Sequence, residues 1–170
     1  MTRALIAMGT NLPHEGAAGP ALLTRAVAAL AAAGLAPRTL SAIWETSAWP
    51  DPSQPNYFNA VAELDCGPRG PQPLYAALRA IEAAFGRSRE ERYGARTLDL
   101  DVLAVDGFVG TFGAVILPHP RLHERGFVLA PLGEVAPGWR HPILGRSAGE
   151  MLAELQNPGL LTRIGPFPAG

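Results

Sequence analysis

Alternating apolar and polar positions divide the first two thirds of the chain into strands and helices. Apolar or alternating segments at residues 3–8, 38–46, 57–64 and 98–105 predict four strands. Apolar residues at helical spacing predict helices at residues 21–33 and 74–85, each followed by a glycine, Gly34 or Gly86, that stops it. The order strand, helix, strand, strand, helix, strand indicates an α+β protein with a ferredoxin-like, mainly antiparallel sheet flanked by helices on both faces.

The remaining segments predict two further helices, a tail and one long loop. The helices are expected at residues 127–135 and 147–156, and the Pro/Gly-rich segment 158–170 is expected to be a loose tail. Residues 47–56 hold three prolines between two predicted strands, which is typical of a lid or binding loop. With 170 residues, the chain is expected to form a single domain over positions 1–170.

Composition limits the partners and the chemistry. Apolar runs end well before the roughly 20 residues that cross a bilayer, so no membrane partner is expected. A net charge of −1 argues against a nucleic-acid partner held by a generally basic surface. Cys66 is the sole cysteine, which excludes an intramolecular disulfide and fits a cytoplasmic protein, expected to be a monomer. All 14 basic residues are arginines, so mechanisms that need a lysine are excluded.

Two carboxylates mark the last predicted strand as a candidate metal site. Asp99 and Asp101 are two positions apart, so their side chains project from one face while Leu98 and Leu100 face the other. One or two carboxylates, completed by substrate phosphates and water, are a common setting for Mg²⁺. A solvent-facing strand surface is the alternative that this spacing leaves open.

An arginine cluster directly precedes this acidic strand. Arg87, Arg89, Arg92 and Arg96 fall within ten positions. Guanidinium groups match phosphate oxygens in bidentate geometry, so arginines beside paired carboxylates indicate a site for a nucleoside triphosphate. A solvated charged loop, with the arginines paired to neighbouring glutamates, remains the alternative.

Residues 92–103, with the sequence RYGARTLDLDVL, resemble the signature segment of the 6-hydroxymethyl-7,8-dihydropterin pyrophosphokinases, a family of folate synthesis. Other matching segments run in the family's order over positions 1 to about 135, among them Gly9-Thr10-Asn11-Leu12, Pro118-His119 and Arg125-Gly126-Phe127. The sequence departs from the family pattern at Ser47, where proline is usual in the family, and at Tyr93, Ala114 and Pro120.

The resemblance implies roles for individual residues. Asp99 and Asp101 would hold two magnesium ions and, with Arg87 and Arg96, form the catalytic group. ATP would be bound by Glu82, Arg87, Arg89, Arg92, Arg96, Val102, His119 and Arg125. Glu82 matches a family position near the nucleoside. The pterin would be bound by Thr46, Ser47, Trp49, Tyr57, Asn59 and Phe127. A flat heteroaromatic needs rings on its faces and an amide at its edge, which Tyr57, Phe127 and Asn59 supply.

The reaction implied is transfer of pyrophosphate from ATP to the hydroxymethyl group of the pterin, with AMP as the leaving group. Such a transfer needs an in-line nucleophile and cations near the phosphates, and the sequence offers no evident general base. A nucleotide-binding or pterin-binding module without catalysis is the first alternative. A ferredoxin-like RNA-binding domain is a second, although its stacked aromatic signature is missing from the predicted strands.

Overall fold

The computed structural model describes residues 1–86 and 97–168. Strands occupy β1 (Arg3–Thr10), β2 (Pro37–Leu40), β3 (Ile43–Thr46), β4 (Tyr57–Asp65), β5 (Asp99–Val105), β6 (Gly110–Phe112), β7 (Val115–Leu117) and β8 (Leu161–Gly165). Helices occupy α1 (Pro20–Ala32), α2 (Pro71–Ala84), α3 (Gly126–Val135) and α4 (Ala148–Glu154). Within these described ranges, no helix has the length and apolar composition needed to span a membrane.

One six-stranded antiparallel sheet organises the molecule. Its order is β5-β1-β4-β3-β8, with β2 also pairing with β4, and β6 and β7 form a separate hairpin. In the path β5-β1-β4-β3, the strand β1 lies between β4 and β5. The first of the four predicted strands thus lies between the third and the fourth, as a split βαβ unit requires. The predicted α+β class with a ferredoxin-like antiparallel sheet is confirmed.

Alternation along β1 gives the sheet two apolar faces. Ile6 and Met8 belong to a core shared with α1 and α2, whereas Leu5 belongs to a second core shared with α3 and α4. Each core is covered by a pair of helices, which confirms helices on both faces. The helix α1 has Pro20 at its start, where the missing N–H is not needed by the helix.

The predicted strand 38–46 is in fact two strands, β2 and β3. At the break, the Ser41 hydroxyl accepts the N–H of Val61 at 2.9 Å, and the N–H of Ala42 donates to the carboxylate of Glu134 at 3.1 Å. Side chains therefore satisfy backbone groups that a continuous strand would have paired in the ladder. Both strands pair with β4, and β3 also pairs with β8.

Residues 161–165 correct the expectation of a loose tail from residue 158. They form β8, which pairs with β3 in a register that places Thr46 opposite Leu161. The unpaired edge of β3 explains this order, because it offers backbone hydrogen bonds to any extended segment that reaches it. The segment's alternation was too short and too interrupted by Gly and Pro to predict a strand.

A carboxylate on α3 ties that helix to the same edge of the sheet. Glu134 accepts hydrogen bonds from the N–H of Ala42 and, at 2.7 Å, from the indole of Trp44, and it pairs with Arg163 of β8 at 3.2 Å. Partial burial raises the pKa of Glu134, but these hydrogen bonds together lower it below its ordinary value of 4.5. The ionised form of Glu134 is therefore favoured by folding.

Candidate active site

The sheet topology brings three strand ends together at one cavity. Because β1 runs antiparallel to β4 and β5, its last residues lie beside the first residues of both: Gly9 is opposite Asn59 on one side and Asp99 on the other. The end of β3 and the start of α3 close the space. The resulting sheet-end cavity encloses about 170 Å³.

Ten of the residues predicted for the site line the sheet-end cavity. They are Thr46, Ser47, Trp49, Tyr57, Asn59, Asp99, Asp101, His119, Arg125 and Phe127. Ala7, Met8, Gly9 and Val128 complete the lining. The predicted residues Arg87, Arg89, Arg92 and Arg96 lie outside the described residues. Residues separated by up to 81 positions in sequence are thus gathered in one enclosure, from Thr46 to Phe127.

The acidic pair has the orientation that alternation predicted. Asp99 and Asp101 face the cavity, whereas Leu98 and Leu100 are fully buried in the core on the opposite face of the sheet. The Arg125 guanidinium lies 3.6 Å from a carboxylate oxygen of Asp101. The described part of the chain contains no group of three or more His, Cys, Asp or Glu side chains that could hold a metal ion.

His119 is held as a neutral imidazole beside this pair. Burial, with the positive charge of Arg125 as the second cause, lowers the pKa of His119 to about 4. Its Nδ1 accepts a hydrogen bond from the backbone N–H of Arg121 at 3.2 Å. In the neutral ring the proton is therefore carried by Nε2. Nε2 lies 4.0 Å from the Asp101 carboxylate. The backbone N–H of His119 donates to the carbonyl of Leu103 in β5 at 2.8 Å. His119 therefore presents a hydrogen-bond donor to the acidic end.

Aromatic rings also line the cavity, and two guanidinium groups contact them. The rings of Trp49 and Phe127 lie 6.5 Å apart and are tilted by 48°. Arg125 lies over both rings, at 5.3 Å from Trp49 and 5.6 Å from Phe127, and Arg121 lies 4.2 Å from Trp49. These cation–π contacts hold the loop that contains Trp49 against the start of α3. Arg121 was missed by the sequence reasoning, because its role depends on the fold of a loop far from it in sequence.

The buried amide of Asn59 is fixed by two neighbours. Its Nδ2 donates to the hydroxyl of Thr46 at 2.7 Å. On the other side, a Cβ atom at Gly9 would lie only 2.5 Å from the amide oxygen of Asn59, so the absence of a side chain at Gly9 makes room for this rotamer. Asn59 therefore offers an oriented polar edge in an otherwise aromatic wall.

Ser47 connects the cavity to the C-terminal segment. Its hydroxyl accepts the N–H of Leu160 at 3.1 Å, and its own N–H donates to the carbonyl of Leu160 at 3.4 Å. Both contacts lie next to the last β3–β8 pair, in which Thr46 is opposite Leu161. The serine that departs from the family pattern thus has a structural use that a proline, without an N–H or a hydroxyl, would not supply.

Two predicted ATP contacts, Glu82 and Val102, do not line the sheet-end cavity. Val102 is buried in the core shared with α1 and α2. Glu82 is also buried, and its carboxylate accepts the N–H of Leu100 at 3.0 Å and pairs with Arg79 at 2.7 Å. The role of Glu82 and Val102 in binding ATP stays a prediction.

The fold and the site define a class: a ferredoxin-like α+β protein whose sheet end pairs an aromatic slot with two carboxylates. The sequence profile of the 7,8-dihydro-6-hydroxymethylpterin-pyrophosphokinase family matches residues 5–137. The chain belongs to this family.

Named relatives agree with this assignment. The chain is 38% identical over 161 residues to the 2-amino-4-hydroxy-6-hydroxymethyldihydropteridine pyrophosphokinase of Methylorubrum extorquens, covering 94% of this chain and 98% of that protein. It is 35% identical over 155 residues to the protein of the same name from Synechocystis, covering 89% and 75% of the two chains. The corresponding match in Bacillus subtilis is 36% identical over 133 residues, covering 78% and 77%.

A solved structure supports the fold independently. The crystal structure of a triple mutant of Plasmodium falciparum HPPK-DHPS superposes with a TM-score of 0.68 at 10% sequence identity, over 90% of this chain and 43% of that one. This chain therefore spans less than half of that longer protein. At such low identity, the likeness concerns the fold alone.

Proposed function

We propose that this chain transfers the terminal diphosphate of ATP to the hydroxymethyl oxygen of 6-hydroxymethyl-7,8-dihydropterin, as a step of folate biosynthesis. The alcohol oxygen attacks the β-phosphorus, the bond between that phosphorus and the α,β-bridging oxygen breaks, and AMP leaves with that oxygen. The products are AMP and the pterin diphosphate, and the alcohol proton passes to solvent.

One observation carries the proposal: the sheet-end cavity joins a slot for a flat ring to an acidic end suited to a metal-bound phosphate. Tyr57, Phe127 and Trp49 supply apolar ring faces, and Asn59 supplies a polar edge at the same wall. Ring stacking fixes the plane of a heteroaromatic, and an amide fixes its rotation within that plane. Asp99 and Asp101 line the same cavity, and we propose that the hydroxymethyl substituent of the ring is directed toward them.

The donor set of the acidic end fits magnesium. Asp99 and Asp101 offer hard carboxylate oxygens from one strand face, and we propose that they hold the two Mg²⁺ ions of the reaction. Bound Mg²⁺ would neutralise charge on the triphosphate and polarise its oxygens. Arg125 and Nε2 of His119 lie 3.6 and 4.0 Å from the Asp101 carboxylate, so we propose that both donate to the phosphate oxygens bound at the acidic end.

The loop at residues 47–56 excludes water in this proposal. Trp49 lines the cavity and is contacted by Arg121 and Arg125, so we propose that the loop shields the alcohol from water that would compete as nucleophile. We also propose a monomer as the active species. ATP as co-substrate supports a cytoplasmic location.

The direct test measures AMP release by the purified chain with ATP, Mg²⁺ and the pterin alcohol. AMP and pterin diphosphate are expected in equal amounts and only when all components are present. Nucleotide binding without AMP release would instead identify a non-catalytic binding module. Asp101→Asn should lower kcat by about 100-fold or more, the scale of one lost charge-stabilising group.

Asp106→Asn is the matched control for Asp101→Asn. Asp106 follows β5 directly, at the opposite end from the cavity, and its carboxylate pairs with Arg3 at 3.1 Å on the surface. The same change of a carboxylate to an amide should leave turnover within about twofold there, because exposed ion pairs contribute little. Equal activity of both variants would contradict the assigned role of Asp101.

A further inference from the structure

A buried ion pair on α2 contacts the peptide groups between the two proposed metal ligands. Glu82 accepts the N–H of Leu100 at 3.0 Å through Oε2, and Arg79 donates to the carbonyl of the same residue. The two side chains also pair with each other, with 2.7 Å between Nη1 and Oε1. Both polar groups of Leu100 are therefore bonded to one cyclic arrangement, the Arg79–Glu82 clamp.

Among the described residues no strand pairs with the outer edge of β5, and the clamp binds backbone groups at that edge. In the sheet order, β5 is an edge strand with β1 on its inner side, where Gly9, Met8 and Ala7 are opposite Asp99, Leu100 and Asp101. Successive residues of an antiparallel edge strand direct their N–H and C=O groups alternately toward the partner and away from it. The outward groups of Leu100 are those that the clamp binds, as an adjacent strand would bind them.

Fixing the peptide groups of Leu100 also fixes the directions of the Asp99 and Asp101 side chains. The N–H of Leu100 belongs to the peptide plane shared with Asp99, and its carbonyl belongs to the plane shared with Asp101. Fixing both planes sets the direction in which each Cα–Cβ bond leaves the strand. An edge strand without such support is free to twist and fray, which would alter the distance between the two carboxylates.

The placement of Glu82 is costly enough to require a gain elsewhere. Its side chain is 2% exposed, and that of Arg79 is 22% exposed. Burying an ion pair contributes little to stability, because desolvation offsets the mutual attraction, whereas its removal from one side leaves an uncompensated charge. A gain in the geometry of the Asp99 and Asp101 site accounts for keeping the pair.

We propose that Arg79 and Glu82 are positioning residues that preorganise Asp99 and Asp101 for divalent cations by fixing both peptide groups of Leu100. This inference rests on the proposed function of the aspartate pair and deepens it. Outer partners of this kind alter metal affinity by about 10- to 100-fold when removed. It assigns to Glu82 an action through β5 rather than a contact with the nucleoside.

The test distinguishes an action of Glu82 through β5 from a contact with the nucleoside. Two ligands, each representing part of ATP, are titrated into the wild-type chain and the Glu82→Leu variant. Binding of Mn²⁺ with tripolyphosphate, which has no nucleoside, is measured by calorimetry and by the electron paramagnetic resonance signal of bound Mn²⁺. AMP binding without metal is measured in parallel. We expect Glu82→Leu to weaken Mn²⁺-tripolyphosphate binding by about tenfold or more and AMP binding by less than about twofold. A loss confined to AMP would overturn the inference.

Two further variants keep the test decisive if Glu82→Leu folds poorly. Glu82→Gln retains an oxygen that can accept the Leu100 N–H, so it should recover Mn²⁺-tripolyphosphate affinity to within about threefold of wild type. Arg79→Met removes the donor to the Leu100 carbonyl and should weaken that affinity as Glu82→Leu does. Wild-type affinity of Arg79→Met for Mn²⁺-tripolyphosphate would overturn the proposal. It would also be overturned if Glu82→Gln lost as much of this affinity, about tenfold, as Glu82→Leu.

Asp65→Ala provides the matched control for a general loss of stability. Asp65 accepts the N–H groups of Thr2 and Gly67 at 3.0 and 2.8 Å, so it also anchors backbone at a sheet end. It lies opposite Arg3, six positions along β1 from Gly9, or about 20 Å from the cavity end. Unchanged Mn²⁺ affinity in Asp65→Ala is expected, and an equal loss would overturn a specific role for the clamp.

The AMP-release assay on wild type distinguishes failure of the clamp from failure of the proposed function. If wild type releases AMP but Glu82→Leu binds Mn²⁺-tripolyphosphate normally, the clamp alone is wrong. If wild type releases no AMP but the variants lose Mn²⁺ affinity, the clamp stands and the proposed reaction fails.

Discussion

Adding one methyl group at Gly9 should disable the polar edge of the pterin slot while leaving the fold intact. Gly9 lies in regular strand β1, so its backbone accepts alanine. The new Cβ would be 2.5 Å from the amide oxygen of Asn59, 0.5 Å inside the 3.0 Å below which such contacts essentially do not occur. The atom that must yield is the end of a side chain, so the strain is relieved by rotating Asn59 rather than by moving the sheet.

The cost should appear in ligand binding. Rotation of Asn59 breaks its 2.7 Å hydrogen bond to Thr46 and turns the amide away from the pterin edge. Leaving one buried hydrogen-bonding group unsatisfied costs about 1–3 kcal/mol. At 1.4 kcal/mol per tenfold, the dissociation constant for the pterin should rise by about 5- to 150-fold. Calorimetric titration with the pterin alcohol measures this constant, and thermal unfolding checks the fold.

A double-mutant cycle identifies Asn59 as the cause. In an Asn59→Ala background the obstructing amide is gone, so Gly9→Ala should weaken pterin binding by less than about twofold further. Additive losses would show that the methyl group acts on another part of the slot. Wild-type affinity in Gly9→Ala alone would refute the assignment of Asn59 to the pterin edge.

Three further outcomes follow from contacts described above. Arg121→Leu removes a cation–π contact of about 0.5–1 kcal/mol, so it should weaken pterin binding about two- to fivefold. In a chain that lacks the other tryptophans, the emission of Trp49 should also change. Unchanged affinity would contradict a role of Arg121 in holding the loop. For Glu134, whose pKa is lowered by folding, the ionised form contributes stability above pH 4.5 that is lost as pH falls toward the folded pKa. Denaturant unfolding should therefore show a shallower acid loss in Glu134→Gln, and an identical pH profile would contradict it. Burial raises the pKa of the Cys66 thiol, so iodoacetamide should modify it slowly at pH 8 until denaturant is added; fast labelling of the folded chain would contradict its burial.

Periodicity predicted the parts of the fold that depend on local sequence. The strands β1, β4 and β5 and the helices α1 and α2 each combine a regular apolar pattern with a glycine or proline at a boundary. The predicted helix 147–156 occurs as α4, and Ser147 caps it in a reciprocal arrangement with Glu150. Signals of this kind act within a few residues, so they are visible without knowing the tertiary structure.

What escaped prediction depends on pairing across long distances in sequence. The break between β2 and β3 requires Glu134, about 90 positions later, to accept the N–H of Ala42. The strand β8 forms because an edge of β3 is available, and the hairpin of β6 and β7 has only three residues in each strand. None of these features leaves a periodic pattern in its own segment.

For the site, the resemblance predicted which side chains gather at the cavity, and residue chemistry agreed with the roles that it implied. The face shared by Asp99 and Asp101 followed from strand alternation alone. The contacts of Arg121 with Trp49, and of Arg79 with Leu100, were not predictable, because each joins elements whose relative placement only the fold determines. The roles of the arginines at positions 87–96 stay predictions.

The attachment of β8 makes the two ends of the chain unequal as handles for experiment. A tag, a fusion partner or a solid support joined after β8 would pull on Leu160 and, through its two hydrogen bonds, on Ser47 in the cavity wall. The N-terminus is different, since Met1 is 85% exposed and precedes the end of β1 remote from Gly9. We therefore expect immobilisation through the N-terminus to leave the sheet-end cavity undisturbed, and load applied to the C-terminus to reach it through Ser47.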